Sequence, residues 1–190
     1  MKKNTFVRMI AIALIVMSVM VITIPAMADI TDVNVTWTVV NVDHSGDTIP
    51  CIRSGMSAGS TCLVQLSGVS SVNVKADTGK IDWVRCKYGN YTGYIHCSYL
   101  SFTDSSFRNT FFNNYNLQQG FRGDPVKNLQ LFLKKFGYYT IAVDNLFGSG
   151  TKSAVKNFQS AKGLTQDGIV GSLTSAKICE AYEMTLLPES

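Results

Sequence analysis

Residues 144–151 read DNLFGSGT and residues 167–174 read DGIVGSLT, so one phrase occurs twice with an offset of 23 residues. Both copies begin with Asp followed by Asn or Gly, the residues that most readily adopt the left-handed backbone of turns. Two apolar residues come next, followed by Gly and by Ser or Thr residues that can cap a helix. Each copy therefore predicts a turn that begins a helix.

Three amphipathic segments lie before, between and after the two copies. Asp124-Pro125 has the residue order of a helix start, and the stripe that follows it ends at Gly137. A second stripe ends at Gly163, and a third, weaker one follows the second copy. Their apolar members are Val126, Leu129, Phe132, Leu133, Phe136, Ala154, Val155, Phe158, Ala161, Leu173, Ala176, Ile178 and Ala181. The sequence predicts three short helices.

Many positions in this region agree in order and spacing with a known family. They are Leu129-Gln130, Gly137-Tyr138, Asp144, Phe147-Gly148, Thr151, Ala154-Val155, Phe158-Gln159, Gly163-Leu164, Asp167-Gly168, Gly171 and Thr174. The run resembles the three-helix peptidoglycan-binding domain of bacterial cell-wall hydrolases and spore-wall proteins, with Asn145 in place of the family's usual Gly. The resemblance implies a helical binding domain over residues 122–183, followed by a C-terminal tail over residues 184–190.

The N-terminal segment has the pattern of a secretory signal peptide over residues 1–28. Lys2, Lys3 and Arg8 precede an apolar run, and Pro25-Ala26-Met27-Ala28 presents a small-residue cleavage site. An uncleaved membrane anchor is the alternative, but the run is shorter than the roughly 20 residues that a span needs. After cleavage, 14 basic and 13 acidic residues leave a net charge of +1, which disfavours nucleic acid as a partner. We expect a secreted protein, extracellular or in the cell wall, with no membrane attachment after cleavage.

Residues 29–101 carry the signals of β structure. Val33, Val35, Trp37 and Val39 alternate with polar residues, which is the period of a half-buried strand. Short apolar segments between turn residues predict further strands. These segments span residues 50–53, 62–66, 72–76 and 83–87, and a hairpin across residues 88–93 leads to a last strand at residues 94–97. Closely spaced short strands indicate a small barrel.

The same region resembles the bacterial SH3-like domain of secreted wall proteins. The matching residues are Ile52-Arg53-Ser54-Gly55, Trp83-Val84-Arg85, Tyr88-Gly89, Thr92-Gly93-Tyr94-Ile95-His96 and Ser98-Tyr99-Leu100-Ser101. The resemblance implies a barrel that binds wall peptides or supports its neighbour. The predicted fold class is therefore multi-domain α and β, with a small SH3-like β-barrel over residues 29–101 followed by the three-helix module. Residues 102–121 are predicted to be an aromatic-rich linker that packs in part on one domain.

Four of the five cysteines lie in the β region, namely Cys51, Cys62, Cys86 and Cys97. Export favours disulfides, and each bridge would stabilise so small a domain by about 2 to 4 kcal/mol. Four cysteines allow three pairings. Cys86 and Cys97 have the parity of one face of the last hairpin, so Cys86–Cys97 with Cys51–Cys62 is the leading pairing. Cys179 is expected to be a small buried hydrophobe in the last helix.

Catalytic and metal sites have little support in the sequence. Cys62, Cys86 and Cys97 lie in strand segments, whereas a nucleophilic thiol paired with His44 or His96 would normally lie at the start of a helix. The usual spacings of zinc ligands do not occur. We predict no catalytic residue, no metal and no cofactor.

Ligand binding has better support. Peptidoglycan joins sugars to short peptides, and such ligands are held by aromatic faces beside amide and carboxylate groups. The candidate ligand-binding residues are Tyr138, Tyr139, Asn145, Gln159, Asp167, Tyr88, Tyr91 and Tyr94. We predict a secreted, non-catalytic peptidoglycan-binding protein whose two modules raise avidity. The alternatives are a wall hydrolase (an amidase or peptidase), an accessory subunit that has a wall hydrolase as its partner, and a secreted protein-binding adaptor.

Overall fold

The structure of the protein, a computed structural model, describes residues 28–29, 37–46 and 48–186. The strands are β1 (Ala28–Asp29), β2 (Thr38–Val42), β3 (Cys51–Arg53), β4 (Cys62–Gln65), β5 (Ser71–Lys75), β6 (Trp83–Tyr88), β7 (Tyr91–His96), β8 (Leu100–Ser101) and β9 (Phe121–Arg122). The helices are α1 (Asp104–Phe112), α2 (Asp124–Lys135), α3 (Ser149–Ala161) and α4 (Ser172–Leu186). Within the described ranges, no helix is both long and apolar enough to cross a membrane. The signal-peptide prediction falls on residues 1–28, which lie outside the described ranges except for Ala28.

Strands β2 to β8 form one antiparallel sheet in the order β4-β3-β7-β6-β5-β2-β8. Its inner face buries Val74, Val84 and Ile95 completely, because alternate residues of a strand point to the same side. The strand segments predicted from residue 50 onward are confirmed to within one to three residues at each end. Whether this sheet is an SH3-like barrel stays a prediction.

Strand β2 buries a different face from the one predicted. Val39 is 63% exposed, whereas Thr38, Val40 and Val42 are buried. The cause is the pairing with β5, which places Val40 opposite Val72. Residues opposite one another share a face of the sheet, so the core side of β5 decides which side of β2 is buried. Val33 and Val35 of the predicted strand lie outside the described residues.

The predicted linker contains helix α1. Thr103 and Ser106 form a reciprocal capping box, in which each side chain accepts a hydrogen bond from the backbone N–H of the other residue. Phe107 and Phe111 are buried, and their ring centroids lie 5.3 Å and 5.0 Å from that of Phe132 on α2. Residues 104–112 of the predicted linker therefore form a helix whose aromatic side chains complete a core.

Helix α1 and its neighbours join the sheet and the helices into one core. The Tyr182 hydroxyl of α4 donates a 2.6 Å hydrogen bond to the carbonyl of Ile81, just before β6. The Asn128 amide of α2 donates to the carbonyls of Ala76 and Phe111. Helix α4 also extends to Leu186, beyond the domain end predicted at residue 183. The two predicted modules are thus joined by buried contacts.

The cysteine pairing is correct for one bridge and wrong for the other. Cys51 and Cys62 form the disulfide that joins β3 to β4, as predicted. Cys86 and Cys97 are buried free thiols. The turn of the β6–β7 hairpin has only two residues, with Gly89 at a φ of 55°, so Cys86 lies opposite Gly93 rather than Cys97. The Cys97 thiol instead contacts the Ile81 carbonyl.

We predict three free thiols in the unfolded, non-reduced protein, at Cys86, Cys97 and Cys179. In the native state these thiols should react slowly, because burial raises the pKa of each to about 12 and leaves little thiolate. Colorimetric thiol counting with and without denaturant measures both quantities, and full reduction should raise the count to five. A count of one free thiol before reduction would show that Cys86 and Cys97 form a disulfide.

Candidate functional site

The two copies of the repeated phrase are each organised around a glutamine from the preceding helix. In the first copy, the Gln130 side-chain nitrogen lies near four oxygens. These are Asp144 Oδ1 at 2.7 Å, the Leu146 carbonyl at 2.9 Å, Thr151 Oγ1 at 3.0 Å and the Tyr139 hydroxyl at 3.1 Å. The backbone N–H of Asn145 donates to the Gln130 side-chain oxygen at 3.0 Å. The amide thus holds the turn closed.

Gln159 does the same in the second copy. Its nitrogen lies 2.7 Å from Asp167 Oδ1, 3.0 Å from the Ile169 carbonyl and 3.1 Å from Thr174 Oγ1. The backbone N–H of Gly168 donates to its oxygen at 2.9 Å. The equivalent partners lie 23 residues after those of the first copy, so the sequence repeat is also a repeat of hydrogen bonds.

These networks correct several residue roles predicted from the sequence. The hydroxyls of Thr151 and Thr174 donate to carbonyls of the preceding turn, whereas they were predicted to accept from N–H groups of the helix. Helix α3 begins after Gly148 without a side-chain cap. Helix α2 likewise begins after Gly123, so Asp124 lies inside the helix rather than at its cap.

Gln159 and Tyr139, two of the predicted ligand residues, are buried. Gln159 is 1% exposed and its amide is used by the turn, while Tyr139 is 4% exposed and donates from its hydroxyl to the Ala142 carbonyl. A buried, fully paired amide is costly to redirect toward a ligand. Both residues therefore have structural roles, and their contact with a ligand stays a prediction.

An open groove lies beside the second turn, at the start of α4. This second-turn groove has a volume of about 290 Å³ and is lined by Leu164, Thr165, Asp167, Gly171, Ser172 and Leu173 among others. Leu173 is 73% exposed, so its side chain is accessible to a ligand. The groove therefore combines apolar surface with hydroxyl and carboxylate groups.

The corresponding position of the first turn is covered by the chain itself. The Cδ1 atom of Ile141 lies 2.5 Å from the place that a Cβ on Gly150 would occupy, so a side chain at this position would require Ile141 to move. In the second copy, Leu164 and Leu173 stand at the positions of Ile141 and Gly150. In the second copy, both leucine side chains line the groove. The groove therefore lies where Leu replaces the Gly of the first copy.

Asp167 is an ionised group at the edge of the groove. The backbone N–H of Ile169 donates to its carboxylate at 2.8 Å and holds its pKa below the usual value, with help from Gln159 and from the nearby Lys156. The carboxylate therefore stays charged through the neutral and mildly acidic range. It offers the groove a site for an ammonium or amide donor.

The remaining predicted ligand residues are dispersed. Tyr138 is half-buried and packs edge-on against Phe158, with ring centroids 5.4 Å apart. Asn145 is half-buried in the first turn at a φ of 63°, consistent with its role in place of Gly. Tyr88, Tyr91 and Tyr94 lie on the β6–β7 hairpin, with Tyr88 and Tyr91 exposed and directly opposite each other. Of the predicted ligand residues, the groove brings together only Asp167 and the buried Gln159.

Sequence reasoning missed Leu164, Thr165, Ser172 and Leu173 as groove residues. A signal for Leu173 was present, because it replaces the Gly of the first copy at an otherwise matching position. An apolar residue that replaces a small one in a helix's first turn indicates a change of surface at that position.

The histidines and free thiols do not form a nucleophilic pair. Burial raises the pKa of the Cys86 and Cys97 thiols to about 12, so neither is a ready thiolate. His44 contacts the Val69 carbonyl, and His96 contacts Ser98, with its pKa lowered mainly by burial. Among the described residues, no group of three or more His, Cys, Asp or Glu side chains is arranged to hold a metal ion.

Comparisons with known proteins concentrate on the helical region. Residues 122–178 match the family model described as "Putative peptidoglycan binding domain", which covers α2, α3, both turns and the first part of α4. The chain is 42% identical over 88 residues to the spore cortex-lytic enzyme of Bacillus subtilis (strain 168), covering 43% of this chain and 29% of that enzyme. It is 40% identical over 76 residues to the zinc D-Ala-D-Ala carboxypeptidase of Streptomyces albus G, covering 38% and 29%.

A solved structure, the SleB N-terminal domain, is 43% identical, covers 37% of this chain and 96% of that domain, and has a TM-score of 0.36. The chain spans less than a third of the length of the two curated relatives, and the matches to them fall in the binding-domain region. More than two thirds of each enzyme therefore lies outside the alignment, and the enzyme names refer to those whole proteins.

Proposed function

We propose, on the premise that residues 122–178 form a peptidoglycan-binding domain, that this protein attaches to bacterial cell walls through the second-turn groove. The observation that carries the proposal is the exposed Leu173 beside the ionised Asp167. An apolar wall can take the methyl groups of a stem peptide or lactyl group. Hydroxyl, carboxylate and free helix N–H groups can orient its amides.

The protein acts without catalysis of its own in this proposal, outside the cytoplasm or in the wall. The sheet supports the helices through the shared core, and the exposed Tyr88 and Tyr91 give it a second surface for sugar rings. Asn145 in the first turn and Tyr138 beside Phe158 are accessible in part and remain candidate contacts.

A wall hydrolase or its accessory subunit is the second candidate. The observation that favours it is the similarity to relatives named as a cortex-lytic enzyme and a carboxypeptidase. An adaptor that binds another secreted protein would use the same exposed surfaces. Release of dye from labelled walls separates hydrolysis from binding.

Replacing Leu173 by Asp is expected to reduce the affinity for purified peptidoglycan at least tenfold. The change removes apolar contact worth about 1.5 to 3 kcal/mol and places a charge in the groove. A carboxylate in the first turn of a helix is favourable, so the fold should persist. Co-sedimentation over a range of wall concentrations gives the affinity.

The matched control is Ser149→Asp, which adds the same charge to the first turn of α3, in the first copy of the repeated phrase. It should bind walls as the unaltered protein does. Equal loss in both variants would indicate a general charge effect, and no loss in either would remove the groove from the proposal. Failure of the unaltered protein to sediment would refute wall binding.

A further inference from the structure

A second groove lies where the sheet meets α4. This seam groove has a volume of about 570 Å³ and is lined by Asp43, Tyr99 and Leu100 from the sheet side and by Glu180, Glu183 and Met184 from α4. Among the described residues that line it, none is basic. Binding sites occur preferentially at such junctions between parts of a fold.

The carboxylates of this groove differ in how their charge is balanced. Glu180 is paired with Lys177 on its own helix. The backbone N–H of Ser45 donates to Asp43 at 2.8 Å and lowers its pKa, with smaller contributions from the Ser45 side chain and the adjacent His44, so Asp43 stays ionised. Burial raises the pKa of Glu183, and the neighbouring Asp104 carboxylate raises it further. The groove therefore presents negative charge that would be offset by a cation.

The walls of the groove indicate which kind of cation would fit. Tyr99, Leu100 and Met184 provide apolar surface beside the carboxylates. A small inorganic ion would leave this surface uncovered. A chain of methylene groups that ends in an ammonium group would bury apolar area along the wall and place its charge against Asp43 and Glu183.

We propose that the seam groove binds a primary ammonium group carried on a short aliphatic chain. The side chain of a diamino acid in a peptidoglycan stem peptide has this chemistry, and that choice of source rests on the proposed function. The second-turn groove and the seam groove would then contact different parts of the wall.

Titration with Nα-acetyl-L-lysine methylamide, followed by amide NMR shifts of the full protein, tests the inference. We expect saturable shifts at residues 43–46, 98–101 and 180–186, with millimolar affinity. The same probe acetylated at Nε has no charge and should produce no saturable shift there. Binding of the charged probe should also lower the pKa of Glu183, which carboxyl NMR measures, because a cation favours the ionised form.

Glu183→Gln should weaken binding of the probe about 2- to 5-fold, the size expected for one partly exposed ion pair. The control Asp124→Asn removes an acidic side chain at the start of α2, outside the groove, and should leave the affinity unchanged. Equal shifts with the neutral probe, or no saturable shift at the seam, would overturn the inference.

The chain continues for four residues beyond Leu186, which lines the groove. A protein that ends at Leu186 is therefore titrated beside the full chain. Probe binding by the shortened protein alone would show that the chain's own end fills the groove, and the inference would be wrong. Equal binding by both proteins supports it.

Wall sedimentation of the same preparation separates the two proposals. Sedimentation without probe binding overturns only the seam inference. Probe binding without sedimentation supports the ammonium site but overturns peptidoglycan as its source, and with it the proposed function.

Discussion

A protein in which Phe107 is replaced by Ala is expected to lose about 3 to 5 kcal/mol of its free energy of unfolding. Phe107 is fully buried, and its ring lies 4.8 Å from Phe111, 5.3 Å from Phe132 and 6.0 Å from Tyr182. The loss would include the buried area of the ring and the cavity left among aromatic side chains that cannot all move inward.

The more informative result is which part of the protein responds. Both tryptophans, Trp37 and Trp83, lie in the sheet region, so their fluorescence reports on the sheet, whereas far-UV circular dichroism reports on the helices. Because α1 packs on both parts, the two signals should shift to the same lower urea midpoint. A helical transition that moves while the tryptophan transition stays would show that the two parts unfold independently.

Tyr115→Ala is the matched control, because Tyr115 comes from the same predicted linker. Its side chain is half-buried, and its described ring contact is with Phe121 at 6.3 Å. We expect a loss below about 1.5 kcal/mol. A loss as large as that of Phe107→Ala would mean that burial in α1 does not decide the outcome.

Replacing Gln159 by Ala is expected to cost about 3 kcal/mol of stability. The change removes the partner of Gly168 N–H and leaves a void among buried polar atoms, and each unsatisfied buried group costs about 1 to 3 kcal/mol. Urea unfolding measures the loss. Gln130→Ala should behave alike, because it removes the same network from the first copy.

Two further variants test the mechanism of that loss. Gln119→Ala changes an exposed glutamine and should alter stability by less than about 0.5 kcal/mol. Gln159→Glu keeps the shape but places a second carboxylate against Asp167, so the pKa of the new Glu should rise in the folded state. Protonation then favours folding, and this variant should regain stability relative to the unaltered protein as pH falls through that raised pKa. A loss independent of pH would contradict a hydrogen-bond role.

The helical region was largely predictable because its signals are local. The repeated phrase, the Asp124-Pro125 start and the apolar spacing place α2, α3 and α4 nearly where the structure has them. The function of the glutamines was not predictable in the same way. Gln159 has the residue type of a ligand contact. Only the structure shows that its side chain is buried in the second turn and accepts a hydrogen bond from the backbone there.

Helix α1 was missed although its cap is visible in the sequence. Thr103 and Ser106 have the spacing of a capping box, but Ser stands where Glu or Gln is usual, and the helix that follows is short. The abundance of aromatic residues did indicate packing. Which partners they would pack against depends on Phe132 and Tyr182, which are distant in the chain.

The sequence by itself determined the three helices with their repeated turns, the strand segments from residue 50 onward and the resemblance to a peptidoglycan-binding domain, because periodicity and turn residues act over a few neighbours. The tertiary structure decided which face of β2 is buried, which cysteines pair and where a groove opens. Each of these depends on strand register or three-dimensional packing: Val40 lies opposite Val72, Cys86 lies opposite Gly93, and Leu164 and Leu173 line one groove. A shift of register by a few residues leaves local propensities unchanged but moves a side chain from one partner, or one face, to another.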